Sequence, residues 1–150
     1  MDNILIRKLN SEDAEEISKI YLSITKTTSV DDFRKIVAKQ AQRDEDASFV
    51  AELNGKVVGY LISYTLTGGF GIAKSAWVAN LGVNPKFMGQ GIGEKMAEEI
   101  FKYYSNKGIK DIYTSVRWDS TDLLSFFKTL GFDRSDFINL KKNLEAVVQK

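Results

Sequence analysis

Three glycines stand at alternate positions in the middle of the chain, where an apolar stretch gives way to a turn and then to an amphipathic segment. They are Gly89, Gly91 and Gly93, at the end of the run VNPKFMGQGIG over residues 83–93. Glycine adopts backbone angles that other residues avoid and lets the main chain approach a ligand closely. Converging N–H groups and the dipole at a helix N-terminus both favour an anion. The pattern predicts a phosphate-binding loop, and the ligand it indicates is the pyrophosphate of a coenzyme.

Two better-known glycine motifs do not fit this run. A P-loop requires Gly-x-x-x-x-Gly-Lys-Ser/Thr, whereas residues 94–96 read EKM and supply no hydroxyl for magnesium. The dinucleotide fingerprint Gly-x-Gly-x-x-Gly needs its third glycine one residue later than Gly93. The alternative that stays open is a glycine-rich connection between a strand and a helix that holds no ligand.

The composition excludes several kinds of catalysis. The 150 residues include no cysteine and no histidine. Disulfides, thiolate nucleophiles, Ser-His-Asp arrangements and metal sites with thiolate or imidazole ligands are therefore excluded, and we expect no metal. Lysine and arginine total 21 and aspartate and glutamate 20, a net charge of +1. This balance gives no reason to expect nucleic acid or an acidic membrane as a partner.

The length suits one domain over residues 1–150, and no linker or low-complexity segment divides it. The first residues lack a basic region followed by an apolar run, and no segment approaches about 18 consecutive apolar residues. We therefore expect a single cytoplasmic domain that does not enter a membrane.

The hydrophobic periodicity predicts strands alternating with helices. An Asn54-Gly55 pair between two strands is a strong signal for a hairpin. The unit from 75 to 117, read as strand, helix and strand, predicts one parallel pair. The predicted strands are 3–9, 48–53, 57–66, 75–83, 110–117 and an extended stretch from Phe132 onward; the predicted helices start at Asn10 or Ser11, near 33, near 91 and at Asp119 or Ser120. The fold class is α+β, with a mostly antiparallel mixed sheet and about four helices.

Three short sequence motifs, in this order, make the chain resemble the GNAT superfamily of N-acetyltransferases over nearly its whole length. They are LGVNP at 81–85, GQGIG at 89–93 and FFKTLGF at 126–132. The resemblance implies a GNAT-like acyl-CoA N-acyltransferase fold, acetyl-coenzyme A as the acetyl donor and an amine as the acceptor.

The resemblance also implies where the coenzyme lies. The strand 75–83 would be bulged and would diverge from the strand 110–117, leaving a gap for the pantetheine arm. A bulge exposes main-chain groups that an amide-bearing ligand can use. The pyrophosphate would lie on the amides of residues 88–94. The implied cofactor-binding residues are Leu81, Gly82, Val83, Met88, Gly89, Gln90, Gly91, Ile92, Gly93, Glu94, Ser120 and Phe127.

Three of these positions depart from the family pattern. Met88 replaces the usual arginine or glutamine of the loop but keeps its amide, and Ser120 replaces a frequent asparagine. Phe127 stands where a tyrosine often protonates the departing coenzyme thiolate. Phenylalanine cannot donate a proton, but a thiol with a pKa of about 8.5 is a tolerable leaving group near neutrality. We therefore expect slower turnover rather than none.

The general base of relatives is also missing. In relatives a glutamate lies on the bulged strand, where this chain has Ala79 and Asn80, or on the next strand, where it has Ser115. Alanine has no group that could accept a proton. Neither Asn80 nor Ser115 accepts a proton near pH 7, so we expect each to act at most by holding a water. One face of the predicted strand 110–117 carries Tyr113, Ser115 and Arg117, because side chains alternate along a strand. These side chains either line the acceptor side of the site or are ordinary sheet surface. The aromatics Phe70, Trp77 and Trp118 either wall the acceptor pocket or pack as core.

We predict an acetyl-CoA-dependent N-acetyltransferase that moves an acetyl group to a primary amine by direct attack in a ternary complex. The amine belongs to a small molecule, a protein N-terminus or a lysine, and nothing in the sequence selects among these. The alternative is a non-catalytic acetyl-CoA-binding or sensor module, and a weaker one is a nucleotide-binding protein that uses the same loop. A homodimer is left open.

Overall fold

The computed structural model describes residues 3–25, 31–43, 46–68 and 73–145. The chain forms two compact units, Met1–Arg117 and Trp118–Lys150. The first unit contains strands β1 (Ile4–Lys8), β2 (Phe49–Leu53), β3 (Lys56–Leu66), β4 (Ser75–Val83) and β5 (Ile112–Thr114), with helices α1 (Ala14–Thr25), α2 (Asp31–Ala41) and α3 (Ile92–Asn106). The second unit contains helix α4 (Thr121–Thr129).

The sheet has the predicted mixed topology. Its spatial order is β1-β2-β3-β4-β5, and every neighbouring pair is antiparallel except β4 and β5. The hairpin between β2 and β3 turns at Asn54 and Gly55, whose φ angles are both positive, at 54° and 80°. Such a turn matches the right-handed twist of the flanking strands, which is why the Asn-Gly pair predicts it correctly.

The two faces of the sheet are covered by different helices. Helices α1 and α2 pack on one face, where Ile17, Phe33, Val37 and Tyr60 are all buried. Helix α3 packs on the other face through an apolar stripe that contains the buried residues Ile92, Met96, Ala97, Ile100 and Tyr104. Because the stripe recurs at helical spacing, the burial of one side of α3 follows directly from its sequence.

An ion-pair network fixes the start of α1 against the first two strands. The guanidinium of Arg7 binds both carboxylate oxygens of Asp13, at 2.7 and 2.9 Å, and also binds Glu52. Asp13 in turn accepts a hydrogen bond from the backbone of Asn10, which caps a short 3₁₀ turn ahead of α1. Of the two predicted starts, Asn10 and Ser11, the cap is Asn10, and the network joins β1 and β2 to the turn that leads into α1.

A buried polar cluster lies on the α3 face of β3. The hydroxyls of Ser63 and Tyr104 are 2.6 Å apart, and the amide of Ala47 donates to Tyr104 at 3.0 Å. Ser63 also donates to the carbonyl oxygen of Ala47, and its own amide donates to Ser48. Burial raises the pKa of Tyr104 above its ordinary value, so the hydroxyl remains protonated and the cluster stays uncharged.

Two predictions about extended chain are wrong. The strand predicted at 110–117 is reduced to Ile112–Thr114, so Ser115 lies beyond it. Residues 133–144 form no strand. In that stretch the hydroxyl of Ser135 both donates to and accepts from the backbone of Phe137, at 3.0 Å each. Such local bonds compete with the pairing that a strand requires.

The second unit is built around α4 and three phenylalanine rings. Phe127 is buried, with its ring centroid 5.4 Å from Phe126 and 5.1 Å from Phe132 in edge-to-face geometry. The helix ends at Thr129, and two residues later φ of Gly131 is +96° and the amide of Phe132 donates back to the carbonyl oxygen of Phe127. A left-handed residue at this position is typical of a helix C-terminus.

A close contact between Tyr60 and Gly82 shapes the α1 and α2 face of β3 and β4. The two residues are paired across the strands, and the Tyr60 ring lies over Gly82. A Cβ atom on Gly82 would lie 2.5 Å from the Tyr60 ring. Glycine is therefore required here by the close approach of the ring rather than by its own backbone angles.

We expect Gly82→Ala to lower the free energy of unfolding by about 1–3 kcal/mol, because overpacking forces the Tyr60 ring off its rotamer. The cost should persist in a Tyr60→Phe background, which keeps the ring, and should fall in a Tyr60→Leu background, which removes it. Urea denaturation of the single and double variants measures this coupling. An equal cost in all three backgrounds would contradict the assignment.

Candidate functional site

The site is organised by an irregularity in β4. Across β3 and β4, Ile62 is opposite Asn80, whereas the next residue, Ser63, is opposite Val78. Ala79 is therefore an extra residue, and β4 contains the bulge that the GNAT resemblance implied. A bulge shifts the alternation of main-chain groups beyond it by one position.

Beyond the bulge, one edge of β4 is open because β5 is short. Parallel pairing with β5 covers only Ala76–Val78, and the hydroxyl of Thr114 closes it with a 3.1 Å bond to the carbonyl oxygen of Val78. Farther along, the amide of Asn84 donates to Val58 on β3 at 2.8 Å. Because main-chain groups alternate in an antiparallel pair, those of Leu81 and Val83 point away from β3. Among the described residues, no strand pairs with them on that side.

The loop after β4 leads directly from this edge to the start of α3. Asn84 begins it by capping a short 3₁₀ turn, with its side chain accepting from the amide of Lys86 at 3.0 Å. Gly89 and Gly91 then adopt left-handed conformations, with φ of +82° and +80°. A Cβ atom at either glycine would meet nothing within 4 Å. Glycine thus allows the left-handed backbone conformation at both positions, and the space beside the loop stays open.

The amides of this loop and of the first turn of α3 form a group of available donors. Gly91 is the N-cap of α3 and has no side chain to cap the helix. The first bond of the helix runs from the amide of Lys95 to the carbonyl oxygen of Gly91, at 3.1 Å. The amides of residues 92–94 therefore have no acceptor within the helix. Met88 is more than half exposed, so its side chain does not cover the loop.

These open groups fit the coenzyme that the sequence indicates. An edge of unpaired N–H and C=O groups at Leu81 and Val83 suits a pantetheine arm, which carries two amides. A glycine loop at a helix N-terminus suits a pyrophosphate. Each amide bound to a charged phosphate oxygen contributes about 1.5–3 kcal/mol.

Asn80 and Ser115, the candidate catalytic residues, differ in their surroundings. Asn80 lies beside the bulge, and its Oδ1 accepts a 3.0 Å hydrogen bond from the hydroxyl of Tyr60. Burial raises the pKa of Tyr60 well above its ordinary value, so this hydroxyl is a donor throughout the neutral range. The side-chain amide nitrogen of Asn80 is left as a donor. Ser115 is exposed and lies one residue beyond β5, not on the strand.

Three aromatic side chains form a row across the same face of the sheet. Tyr64, Trp77 and Tyr113 are register partners on β3, β4 and β5, with ring centroids 6.5 and 4.8 Å apart and nearly parallel planes. Asn80 lies on this face too, one step past the bulge. Trp77 and Tyr113 are among the sequence candidates, whereas Tyr64 was missed because its place depends on the β3–β4 register. Phe70 lies outside the described residues.

The three strands that carry this row contribute uncharged side chains to their common face. On this face β3, β4 and β5 present aromatic, aliphatic, serine, asparagine or glycine side chains, and the described ones include no carboxylate. These strands therefore offer apolar and hydrogen-bonding contacts.

Ser120, Phe127 and Trp118 belong to the second unit. Ser120 is the N-cap residue of α4, as predicted, but its side chain makes no capping hydrogen bond. Phe127 is 5% exposed and Trp118 is 89% exposed. The assignment of Ser120 and Phe127 to the coenzyme rests on the family motif.

Residues 3–25, 31–43, 46–68 and 73–145 contain no group of three or more acidic side chains placed to hold a metal ion. None of their helices is long and apolar enough to cross a membrane.

Comparisons with known proteins agree with this geometry. The family model described as "Acetyltransferase (GNAT) family" matches residues 12–132. The chain therefore belongs to the GNAT acetyltransferase family and is an acetyl-CoA-dependent N-acetyltransferase. The family assignment, the fold and the coenzyme predicted from the sequence are confirmed.

Several solved structures share the fold. Aminoglycoside acetyltransferase meta-AAC0020, from an uncultured soil metagenomic sample, has a TM-score of 0.78 and 21% identity, covering 95% of this chain and 97% of that one. Aminoglycoside N-acetyltransferase AAC(6')-Iy, solved with CoA, has a TM-score of 0.81 and 17% identity, and the match covers 95% of this chain and 96% of that one. The ribosomal-protein-alanine N-acetyltransferase of Brucella melitensis biovar Abortus 2308 has a TM-score of 0.75 and 16% identity, and the match covers 93% of this chain and 98% of that one.

We expect Gly91→Ala to weaken acetyl-CoA binding at least tenfold, or ~1.4 kcal/mol, because the added methyl group enters the space beside the loop. Gly108→Ala is the matched control, since Gly108 has the same φ of +80° and equally open surroundings at the far end of α3. Both variants should lose similar stability. Calorimetric titration measures the affinities; an unchanged affinity in folded Gly91→Ala, or an equal loss in both, would contradict the cofactor loop.

Proposed function

We propose that the acceptor is a primary amine carried by a small molecule with an aromatic or similarly flat apolar group. The observation that carries this proposal is the row Tyr64, Trp77 and Tyr113, on the same sheet face as Asn80 and next to the bulge. An aromatic acceptor packed against Trp77 gains burial and ring contacts worth about 0.5–1.5 kcal/mol beyond its area.

We propose that the coenzyme is held as the family motifs indicate. Leu81, Gly82 and Val83 present the open edge of β4 to the pantetheine arm, and residues 88–94 present their amides to the pyrophosphate. The family motif assigns Ser120 and Phe127 to the coenzyme as well, in one catalytic domain over residues 1–150. The bound coenzyme supplies an acetyl thioester.

The side chains near the bulge would act by position rather than by proton transfer. Tyr60 holds the Oδ1 of Asn80, so the amide nitrogen of Asn80 can donate to an oxygen that gains negative charge during the transfer. Ser115 would hold a water near the acceptor. A neutral amine held against the thioester gains chiefly from proximity and orientation. Attack is then direct, within a complex of enzyme, coenzyme and amine.

The test is release of free coenzyme thiol across an amine panel: 2-phenylethylamine, tryptamine, butylamine, an aminoglycoside and a peptide with a free N-terminus. We expect the two arylalkylamines to exceed butylamine at least tenfold in kcat/KM. Trp77→Leu should remove most of that preference and leave butylamine little changed, because butylamine makes no ring contact.

Trp118→Leu is the control, since Trp118 is an exposed tryptophan of the second unit. Two failures can be told apart. Faster turnover of the aminoglycoside, the peptide or butylamine would overturn the acceptor class alone. Absence of thiol release for every amine, with coenzyme still bound, would favour the sensor module over the enzyme.

The rate should depend on pH only through the acceptor. Asn80, Ser115 and Phe127 cannot exchange a proton near neutrality, so only the free amine form of the acceptor limits attack. The profile of kcat/KM should be a single ascending limb. Its midpoint should move to lower pH for an acceptor whose amine has a lower pKa. A limb that stays fixed when the acceptor changes, or a bell-shaped profile, would reveal an ionisable group of the enzyme.

A cytoplasmic location and a homodimer complete the proposal. Cell fractionation tests the first, and light scattering of the purified chain tests the second.

A further inference from the structure

A groove lies outside the acetyl-transfer site, between α1, the start of β3 and the segment that follows β4. Its volume is about 520 Å³, within the ~300–1,000 Å³ range of small-molecule sites. One wall is residues 84–87, which precede the glycine loop. The open edge of β4 at Leu81 and Val83 points away from β3, whereas the groove lies on the β3 side.

The floor of the groove is apolar. Ile20 of α1 and Val57 and Val58 of β3 form it, and Pro85 and Phe87 stand opposite. The first three are buried, and Phe87 is half-buried. Because the first three residues expose little surface, the apolar area that the body of a ligand would cover belongs mainly to Pro85 and Phe87, at roughly 25 cal/mol for each Å².

The rim of the groove is cationic. Lys19, Lys56 and Lys86 surround it with a single carboxylate, that of Glu16, which leaves two net positive charges. Glu16 is engaged by Lys19 at 3.5 Å. Neither Lys56 nor Lys86 forms an ion pair or hydrogen bond through its ammonium group with any residue in the described part of the chain. Both are exposed and available to a ligand.

Asn84 adds a neutral donor between these lysines. Its Oδ1 accepts from the amide of Lys86 at 3.0 Å, which directs its NH₂ group the other way. That NH₂ group has no hydrogen-bond acceptor among the described residues. Apart from the paired Glu16, the side chains that offer polar contacts here are mainly donors, and a cluster of donors with positive charge selects an anion.

We propose that this groove is a second binding site, for a small amphipathic anion with an apolar body and a phosphate or carboxylate head. The body lies against Pro85 and Phe87, next to the buried floor of Ile20, Val57 and Val58. The head is bound by Lys56, Lys86 and the NH₂ group of Asn84. The site is independent of acetyl transfer, because it shares no side chain with the amine or coenzyme sites proposed above.

Hexyl phosphate, hexanoate and hexanol are the probes, tested without coenzyme by following backbone amide and methyl resonances. Hexyl phosphate and hexanoate should shift the methyl signals of Ile20, Val57 and Val58 and the amide of Lys86, and both should bind at least tenfold more tightly than hexanol. Raising the salt concentration should weaken the two anions and leave hexanol unchanged.

Lys56→Glu/Lys86→Glu should weaken both anions at least tenfold and leave hexanol binding unaltered. The matched control is Lys110→Glu, an exposed lysine on the segment before β5, which should change affinity less than threefold. Gly91→Ala should retain hexyl phosphate binding, because the loop is not the site.

Three results would overturn the proposal. Equal affinity of hexanol and the two anions would mean an apolar crevice without anion selection. Insensitivity to the two lysine substitutions would mean that the rim does not bind the head. Shifts confined to the amides of residues 88–94 would place the phosphate in the coenzyme loop.

Discussion

The extra residue at Ala79 is the constraint on which the rest of the site depends. If Ala79 paired regularly opposite Ile62, alternation along β4 would continue unbroken from Val78, and the main-chain groups of Leu81 and Val83 would point toward β3 and form hydrogen bonds within the sheet. With the bulge, those groups face the open side, while the amide of Asn84 still donates to Val58. The bulge thus decides which residues of β4 present their main-chain groups at the open edge, and it places Asn80 beside them.

The core and the site share one side chain, Tyr60. Its ring packs against Phe33 in the core under α1 and α2, lies over Gly82, and extends its hydroxyl to Asn80. The large ring is accommodated only because Gly82 has no side chain. The position of Asn80 is therefore set by the same packing that stabilises the sheet, not by a flexible surface contact.

Much of the fold could be predicted because its signals are local. The period of α3, the Asn54-Gly55 turn and the glycines of the loop each depend on a few neighbouring residues. The shortness of β5 and the lack of a strand after Asp133 depend on a competition between pairing and local bonds, such as those of Ser135, which periodicity does not record. The contacts of Tyr64 with Trp77 and of Tyr60 with Asn80 required the register of β3 against β4. The bulge sets that register, and its residue was not apparent from the sequence.

The polar cluster around Ser63 bears on how this register is kept. Ser63 lies opposite Val78, immediately before the extra residue, and its hydroxyl is shared with Tyr104 and Ala47. A slip of β3 by one residue would put an aliphatic or aromatic side chain in that place and leave buried hydrogen-bonding groups without partners, at a cost of about 1–3 kcal/mol each. Apolar side chains can pack in more than one register of the two strands, whereas these hydrogen bonds form in only one. The cluster thus favours the native register of β3 against β4. A misaligned strand would lose these hydrogen bonds right beside the bulge that positions Asn80.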